Sequence, residues 1–330
     1  MNHKKRIVVT NPLYDEVRRR LEAHAHVDMN ESLQPWAPDV LATKLRSAHA
    51  LMGFMTDSVD EALLASAPQL EIVACALKGY DAYDVEACTR HGVWLTIVPD
   101  LLTEPTAELA MGLALALARH VKQGDAYVRA DTYTGWRAHL YGMGLRGSTV
   151  AVLGAGRVGS AIINRLQGFE CAHILSVDAT ARHHAAEPAT LNAAMAAADF
   201  VFVALPLTAS TRHLVDAAAL RHGKRGQLLI NVGRGSVIDE TAVAAALATG
   251  QLGGYAADVF ECEDWGLQDR PTEIPQLLLQ QPNTLFTPHL GSAEREVRLA
   301  IEHRTADSII AVLNGEHPGD AINQPQPLAA

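Results

Sequence analysis

Short apolar runs alternate with amphipathic segments from the start of the chain. Arg6–Thr10, His49–Phe54, Glu71–Ala76 and Val93–Ile97 have the length and composition of strands. Between them, Tyr14–Ala23, Pro38–Arg46 and Ser58–Ala65 carry apolar residues at helical spacing. This alternation predicts a small parallel α/β domain. Thr103-Glu104-Pro105 then opens a helix, with proline in the first turn and an acid near the positive end. That helix is apolar nearly all round through Leu113-Ala114-Leu115-Ala116-Leu117 and runs to about Lys122, so it is expected to be buried. The pattern fits a domain or subunit contact and an ordinary core helix equally. A second α/β alternation runs from Ser148 to about Leu290, and Glu294–Leu313 reads as one long helix that could return to the first domain. From Gly315 onward, Pro318, Pro325 and Pro327 predict an extended or poorly ordered tail.

The length of 330 residues exceeds what one compact core usually holds, so two domains are expected. A formal net charge of −10 argues against a nucleic-acid or anionic-membrane surface, but not against a small anion held by local charge. The longest apolar stretch, Leu109–Ala118, is too short to span a membrane, and Ile7-Val8-Val9 is too short for a signal peptide. Cys75, Cys88, Cys171 and Cys262 show no paired spacing, so neither a disulfide framework nor a metal site is expected. A cytoplasmic protein fits these features best.

The buried-strand pattern Thr149-Val150-Ala151-Val152-Leu153 leads directly into Gly154-Ala155-Gly156-Arg157-Val158-Gly159, and a helix follows over Ser160–Leu166. Glycines at that spacing allow a tight turn, close approach of backbone to a pyrophosphate, and close helix–strand packing. The helix amino terminus adds free N–H groups for the phosphates. Asp178 ends the next strand, where a carboxylate would hold the ribose diol of NAD and repel a 2′-phosphate. NAD is therefore the expected cofactor, with Arg182 near enough to permit some use of NADP.

Three chemically active residues each follow an apolar run: Arg234 after Gln227–Val232, Glu263 after Tyr255–Phe260, and His289 after Thr284–Pro288. In a parallel sheet, loops at the carboxyl ends of strands line one crevice. A guanidinium can grip an oxyanion there, while a carboxylate orients an imidazole and stabilises its protonated form. These segments, with Leu205-Pro206-Leu207, resemble the D-isomer-specific 2-hydroxyacid dehydrogenases over nearly the whole chain. The resemblance implies two Rossmann/flavodoxin-like α/β domains with parallel sheets and the active site in the interdomain cleft. It divides the chain into a discontinuous substrate domain, 1–102 plus 294–330, and an NAD-binding domain, 103–293. It makes Arg234 the substrate-orienting cation, His289 the acid/base and Glu263 its partner. It assigns the cofactor to Thr106, Gly154, Gly156, Arg157, Val158, Gly159, Asp178, Ala179, Leu205, Pro206, Val232, Arg234, Asp258 and His289.

Lys78, in Cys75-Ala76-Leu77-Lys78-Gly79-Tyr80-Asp81, stands where the family usually has a small or neutral residue. A second unit charge at ~4 Å contributes about 4 kcal/mol at an effective dielectric of about 20, before desolvation, which suits a compact dianion. Spacing alone equally allows Lys78 to face solvent or to pair with Asp81 or Asp84. The same segment, with Val93–Thr96, Val98–Thr103 and Glu263-Asp264-Trp265, resembles the phosphite-oxidising (phosphonate dehydrogenase) branch of the family. That branch implies substrate contacts from Met55, Lys78, Gly79, Arg234, Ser292 and Arg298, with Trp136 and Tyr141 at the edge, and a homodimer. Other readings are a glyoxylate or hydroxypyruvate reductase, or a non-enzymatic NAD-sensing scaffold of the same fold. A formate dehydrogenase fits less well, because that relative pairs its histidine with glutamine.

Overall fold

The computed structural model describes residues 4–130 and 133–325 and divides the chain into two compact units. Unit 1 contains residues 1–102, 265–268 and 294–330. Its strands and helices alternate along the chain as β1 (Arg6–Val9), α1 (Asp15–His24), β2 (His26–Met29), α2 (Pro38–Leu45), β3 (Ala50–Gly53), α3 (Glu61–Ala65), β4 (Ile72–Cys75), α4 (Val85–Arg90) and β5 (Trp94–Thr96). The sheet is parallel, in the order β2-β1-β3-β4-β5. Every residue of β3 and β4 is buried, as strands covered on both faces require. The helix Arg295–Leu313 completes one of those faces, with Ile301, Ala306, Ile309 and Val312 packed among Ile7, Met52, Ile72 and Ala74.

Unit 2 contains residues 103–264 and 269–293. It opens with α5 (Thr103–Ala118) and α6 (Val121–Arg129), then alternates through β6 (Thr149–Leu153), α7 (Arg157–Leu166), β7 (His173–Val177), β8 (Glu187–Pro188), α8 (Leu191–Ala197), β9 (Phe200–Val203), α9 (Ala217–His222), β10 (Gln227–Asn231), α10 (Glu240–Ala248), β11 (Leu252–Ala257), α11 (Gln276–Leu279) and β12 (Thr284–Phe286). The seven strands are parallel in the order β12-β11-β10-β9-β6-β7-β8. The strand order reverses beside β6, the position at which doubly wound sheets bind nucleotides.

Several sequence expectations change. The helix expected to run from Thr103 to Lys122 is two helices. His120 adopts φ 54°, and the Ala118 carbonyl accepts the Met143 N–H at 3.0 Å instead of one from the next helical turn. The first of the two helices buries Ala107, Ala110, Leu113, Ala114 and Leu117 in the core of unit 2, against α7 and β10. The tail is not loose through Asn323. The Ile322 N–H donates to the Leu95 carbonyl at 2.9 Å, and the Asn323 side chain bonds the Leu95 N–H and the Val93 carbonyl. Pro327 lies outside the described residues. Trp265–Gln268, read from sequence as part of the 103–293 domain, groups with unit 1, where Gly266 lies close against the Asp81 backbone.

Candidate functional site

The dinucleotide fingerprint takes its expected shape in unit 2. Gly154 has φ 96°, and a Cβ there would come within 2.8 Å of the Ala204 carbonyl oxygen, so a side chain is excluded twice over. Gly156 caps α7 without a side-chain bond, and a Cβ at Gly156 would meet nothing within 4 Å. The backbone is thus open to a phosphate at the amino end of a ten-residue helix. Asp178, half-buried, accepts N–H groups from Ala155, Thr180 and Ala181 at 2.8–2.9 Å. Burial raises its carboxyl, but these backbone donors outweigh that and hold it below the usual range. A charged carboxylate fastened to the glycine loop suits a ribose diol, so the residues fit a nicotinamide dinucleotide. Arg157 and Ala179 are exposed beside this loop, Val158 is half-buried, and Leu205 and Pro206 follow β9.

At the carboxyl end of β10, Asn231 is fully buried and holds the next turn by both ends of its amide. Its Oδ1 accepts the Gly233 N–H and its Nδ2 donates to the Arg234 carbonyl, each at 3.0 Å. Arg234 is half-buried, with Nη1 donating to the Gly233 carbonyl at 3.0 Å. Beyond β11, the 3-10 turn Glu261–Glu263 presents Glu263, and beyond β12 comes His289. His289 Nδ1 lies 2.7 Å from Glu263 Oε2. With Nδ1–H given to the carboxylate, Nε2 is the nitrogen left to exchange a proton with a reacting group. Residues 26 positions apart in sequence are therefore brought within hydrogen-bond distance.

His289 adopts φ 57°, and Asp258 explains how that conformation is held. Asp258 Oδ1 accepts from Thr287 Oγ1 and the Leu290 N–H at 2.6 Å each, and Oδ2 accepts the Gly291 N–H at 2.8 Å. The His289 N–H donates to the Asp258 carbonyl at 2.8 Å. Both oxygens of an acid read as a cofactor contact are thus engaged in shaping the histidine loop. Burial raises its carboxyl above the usual range. Buried Thr106 supports the same loop by donating to the Gly291 carbonyl at 3.1 Å, next to half-buried Ser292. Val232 is buried.

In unit 1, the loop after β4 carries half-buried Lys78 and Gly79. Arg298 reaches the same loop from the helix Arg295–Leu313, and its Nη1 donates to the Ala76 carbonyl at 3.3 Å. Its guanidinium carbon lies 5.8 Å from the Phe54 ring centre, beside exposed Met55. Burial lowers the Arg298 pKa; Glu302, whose charge opposes that shift, also accepts the Tyr14 N–H at 3.0 Å. Arg298 thus touches the backbone of the loop that carries Lys78. Trp136 and Tyr141 are each 78% exposed, so their own unit seats neither in a pocket. Sequence reading did not single out Glu240, Glu261, His213 or Thr287, which brace this site. Each looks in sequence like a capping or surface residue, and no spacing signal marks them.

Residues 111–291 match the NAD-binding domain of the D-isomer specific 2-hydroxyacid dehydrogenases. The chain is 34% identical to a glyoxylate reductase of Aeropyrum pernix and 33% identical to one of Korarchaeum cryptofilum, over 97% of this chain and 96% of each relative. Among solved structures it resembles the TT0316 protein of Thermus thermophilus, with TM-score 0.88 and 31% identity over 96% of this chain and 99% of that one. It also resembles an NADPH-dependent glyoxylate/hydroxypyruvate reductase of Sinorhizobium meliloti, solved with NADP and malonate, with TM-score 0.84 and 29% identity over 98% of this chain and 100% of that one.

Proposed function

The chain belongs to the D-isomer specific 2-hydroxyacid dehydrogenase family, a group of nicotinamide-dependent oxidoreductases, and from that premise we propose that it oxidises phosphite to phosphate and passes hydride to NAD. The observation that carries the reading is Arg298 reaching the Ala76 carbonyl, two residues before Lys78 in the same unit 1 loop. A 2-hydroxy acid presents one carboxylate, which one guanidinium serves. A compact tetrahedral dianion gains from each further positive charge, by about 4 kcal/mol at ~4 Å and an effective dielectric of about 20, before desolvation. The resemblance of Cys75–Asp81 to the phosphite-oxidising branch supports the same choice. The reading requires Lys78 and Arg298 to act on the anion that Arg234 and His289 also reach.

In this scheme Lys78, Arg298 and Arg234 hold the phosphite oxygens, and positioning and preorganised charge lower the barrier. His289 Nε2 removes a proton from water, and Glu263 stabilises the imidazolium that results. The water oxygen bonds to phosphorus, and the hydrogen of the broken P–H bond departs with both electrons as hydride. Bound NAD supplies the acceptor for that hydride. The proton on His289 then passes to solvent, leaving phosphate. Asp178 favours NAD, because its carboxylate would repel the 2′-phosphate of NADP.

A second reading, reduction of glyoxylate or a related 2-keto acid, is favoured by the names of the relatives. It uses the same arginine, glutamate and histidine and leaves Lys78 without a role. The two separate in one panel: purified protein with NAD and, in turn, phosphite, formate, lactate and glycerate, then with NADH and glyoxylate or hydroxypyruvate. NADH formation with phosphite alone is the expected result. Consumption of NADH by glyoxylate without phosphite oxidation would establish the second reading instead, and silence throughout would point to an NAD-sensing scaffold.

A further inference from the structure

Behind the Glu263–His289 pair lies a group of acids that the scheme above does not use. Glu240, the first residue of α10, is fully buried. It and Glu261 are tied reciprocally: the Glu261 N–H donates to Glu240 Oε1 at 2.9 Å, and the Glu240 N–H donates to Glu261 Oε1 at 3.0 Å. Glu261 opens the 3-10 turn that ends in Glu263. Its second oxygen lies 2.8 Å from His213 Nε2, and the His213 N–H donates to the Ser236 carbonyl at 2.7 Å. The Ser236 N–H donates to Asp264 Oδ2 at 2.6 Å. Gly235 lies so close that a Cβ would stand 1.9 Å from the Phe260 carbonyl carbon. The Arg234 loop and the Glu263 turn therefore rest directly on each other, and Glu240 is bonded into the joint.

We propose that Glu240 is a positioning residue: as a neutral acid it holds the Glu261–Glu263 turn against the Arg234 loop, and its ionisation loosens that turn and withdraws Glu263 from His289. The inference rests on the Glu263–His289 acid/base reading and not on phosphite as the substrate. Glu240 Oε2 is buried and has no hydrogen-bond partner among the described residues, a setting that admits a neutral carboxyl and penalises a carboxylate. The groups facing it are acids, Glu261 and Glu263 on the turn and Asp264 just after it, with the Tyr255 hydroxyl from β11. The positive groups nearby act on those acids. His213 bonds Glu261, and Arg212, paired with Asp269 at 2.8 Å, lends charge to Glu261 and Asp264. Burial first, then the charges of Glu261, Asp264 and Glu263, push the Glu240 carboxyl up to about 7.

Hydrogen exchange of the wild-type protein tests this directly. Protection of the Glu261–Asp264 amides, corrected for intrinsic rate, falls several-fold more than that of β6 between about pH 6 and about pH 8. In Glu240→Gln, neutral at every pH and still able to accept the Glu261 N–H, the turn is equally protected at both. With whichever substrate the panel identifies, kcat of Glu240→Gln relative to wild type rises several-fold over the same interval. A wild-type turn equally protected at both pH values overturns the proposal, and so does a loss of protection that persists in Glu240→Gln. The wild-type measurement needs neither a folded variant nor turnover, so failure of the enzymatic reading leaves it decisive.

Discussion

A single backbone angle shows how the site is built residue by residue. His289 sits at φ 57°, a region few side chains favour, because Asp258 takes the N–H groups of Leu290 and Gly291 and the Thr287 hydroxyl. The imidazole, carboxylate and guanidinium were legible in sequence as residue types that follow strands. The brace was not, since Asp258 reads from sequence only as an acid near a nucleotide. Lys78 shows the same limit, because its spacing leaves several partners open and only the fold brings Arg298, about 220 residues away, to its loop. Replacing Lys78 with alanine is expected to lower kcat/KM for phosphite by about 10²–10³-fold, the usual loss on deleting one preorganised donor. NAD affinity, measured by fluorescence titration, stays near wild type; unchanged phosphite kinetics would remove Lys78 from the mechanism. Glu263→Gln is expected to cut kcat by about 10²-fold or more, because the imidazolium loses its counter-charge.

At the scale of elements, hydrophobic runs located the strands well, because a strand covered on both faces must be apolar throughout. β3 and β4 came out within a residue or two of expectation. Helix ends were harder. The sequence from Thr103 to Lys122 is continuously helix-compatible, and the break depends on the Met143 N–H arriving to take the Ala118 carbonyl. Short polar elements such as β2 and α4 left little periodic signal to read. The contact between the Arg234 loop and the Glu261–Glu263 turn was equally invisible, yet it predicts a sharp mutational effect. Gly235→Ala puts a methyl into the Phe260–Glu261 backbone, which must shift, at a cost of roughly 1–3 kcal/mol. The melting temperature should fall by several degrees and kcat with it; a variant with wild-type melting and turnover would show that the two turns can part freely.

For the molecule as a whole, buried acids should make stability depend on pH in a definite direction. Glu240 titrates at its ordinary 4.5 when unfolded and at about 7 when folded. Between those values the folded protein keeps a proton that the unfolded chain releases, so stability falls as pH rises through that window and levels off above it. The full loss is about 3 kcal/mol for this residue. Buried Asp258 contributes in the same direction. Denaturant midpoints from about pH 5 to about pH 8 should decline in the wild type and decline less in Glu240→Gln; parallel curves would refute the assignment.

The order of apolar runs, the glycine fingerprint and the strand-end placement of Arg234, Glu263 and His289 determined the fold class, the cofactor class and the candidate reacting groups. These depend on local periodicity and on chemistry that one residue carries by itself. Tertiary structure alone decided that Glu240 lies fully buried against Glu261, that Asp258 shapes the histidine loop, and that the tail through Asn323 joins the edge of β5. Those outcomes depend on desolvation and on hydrogen bonds between segments remote in sequence, and neither exists until the chain has folded.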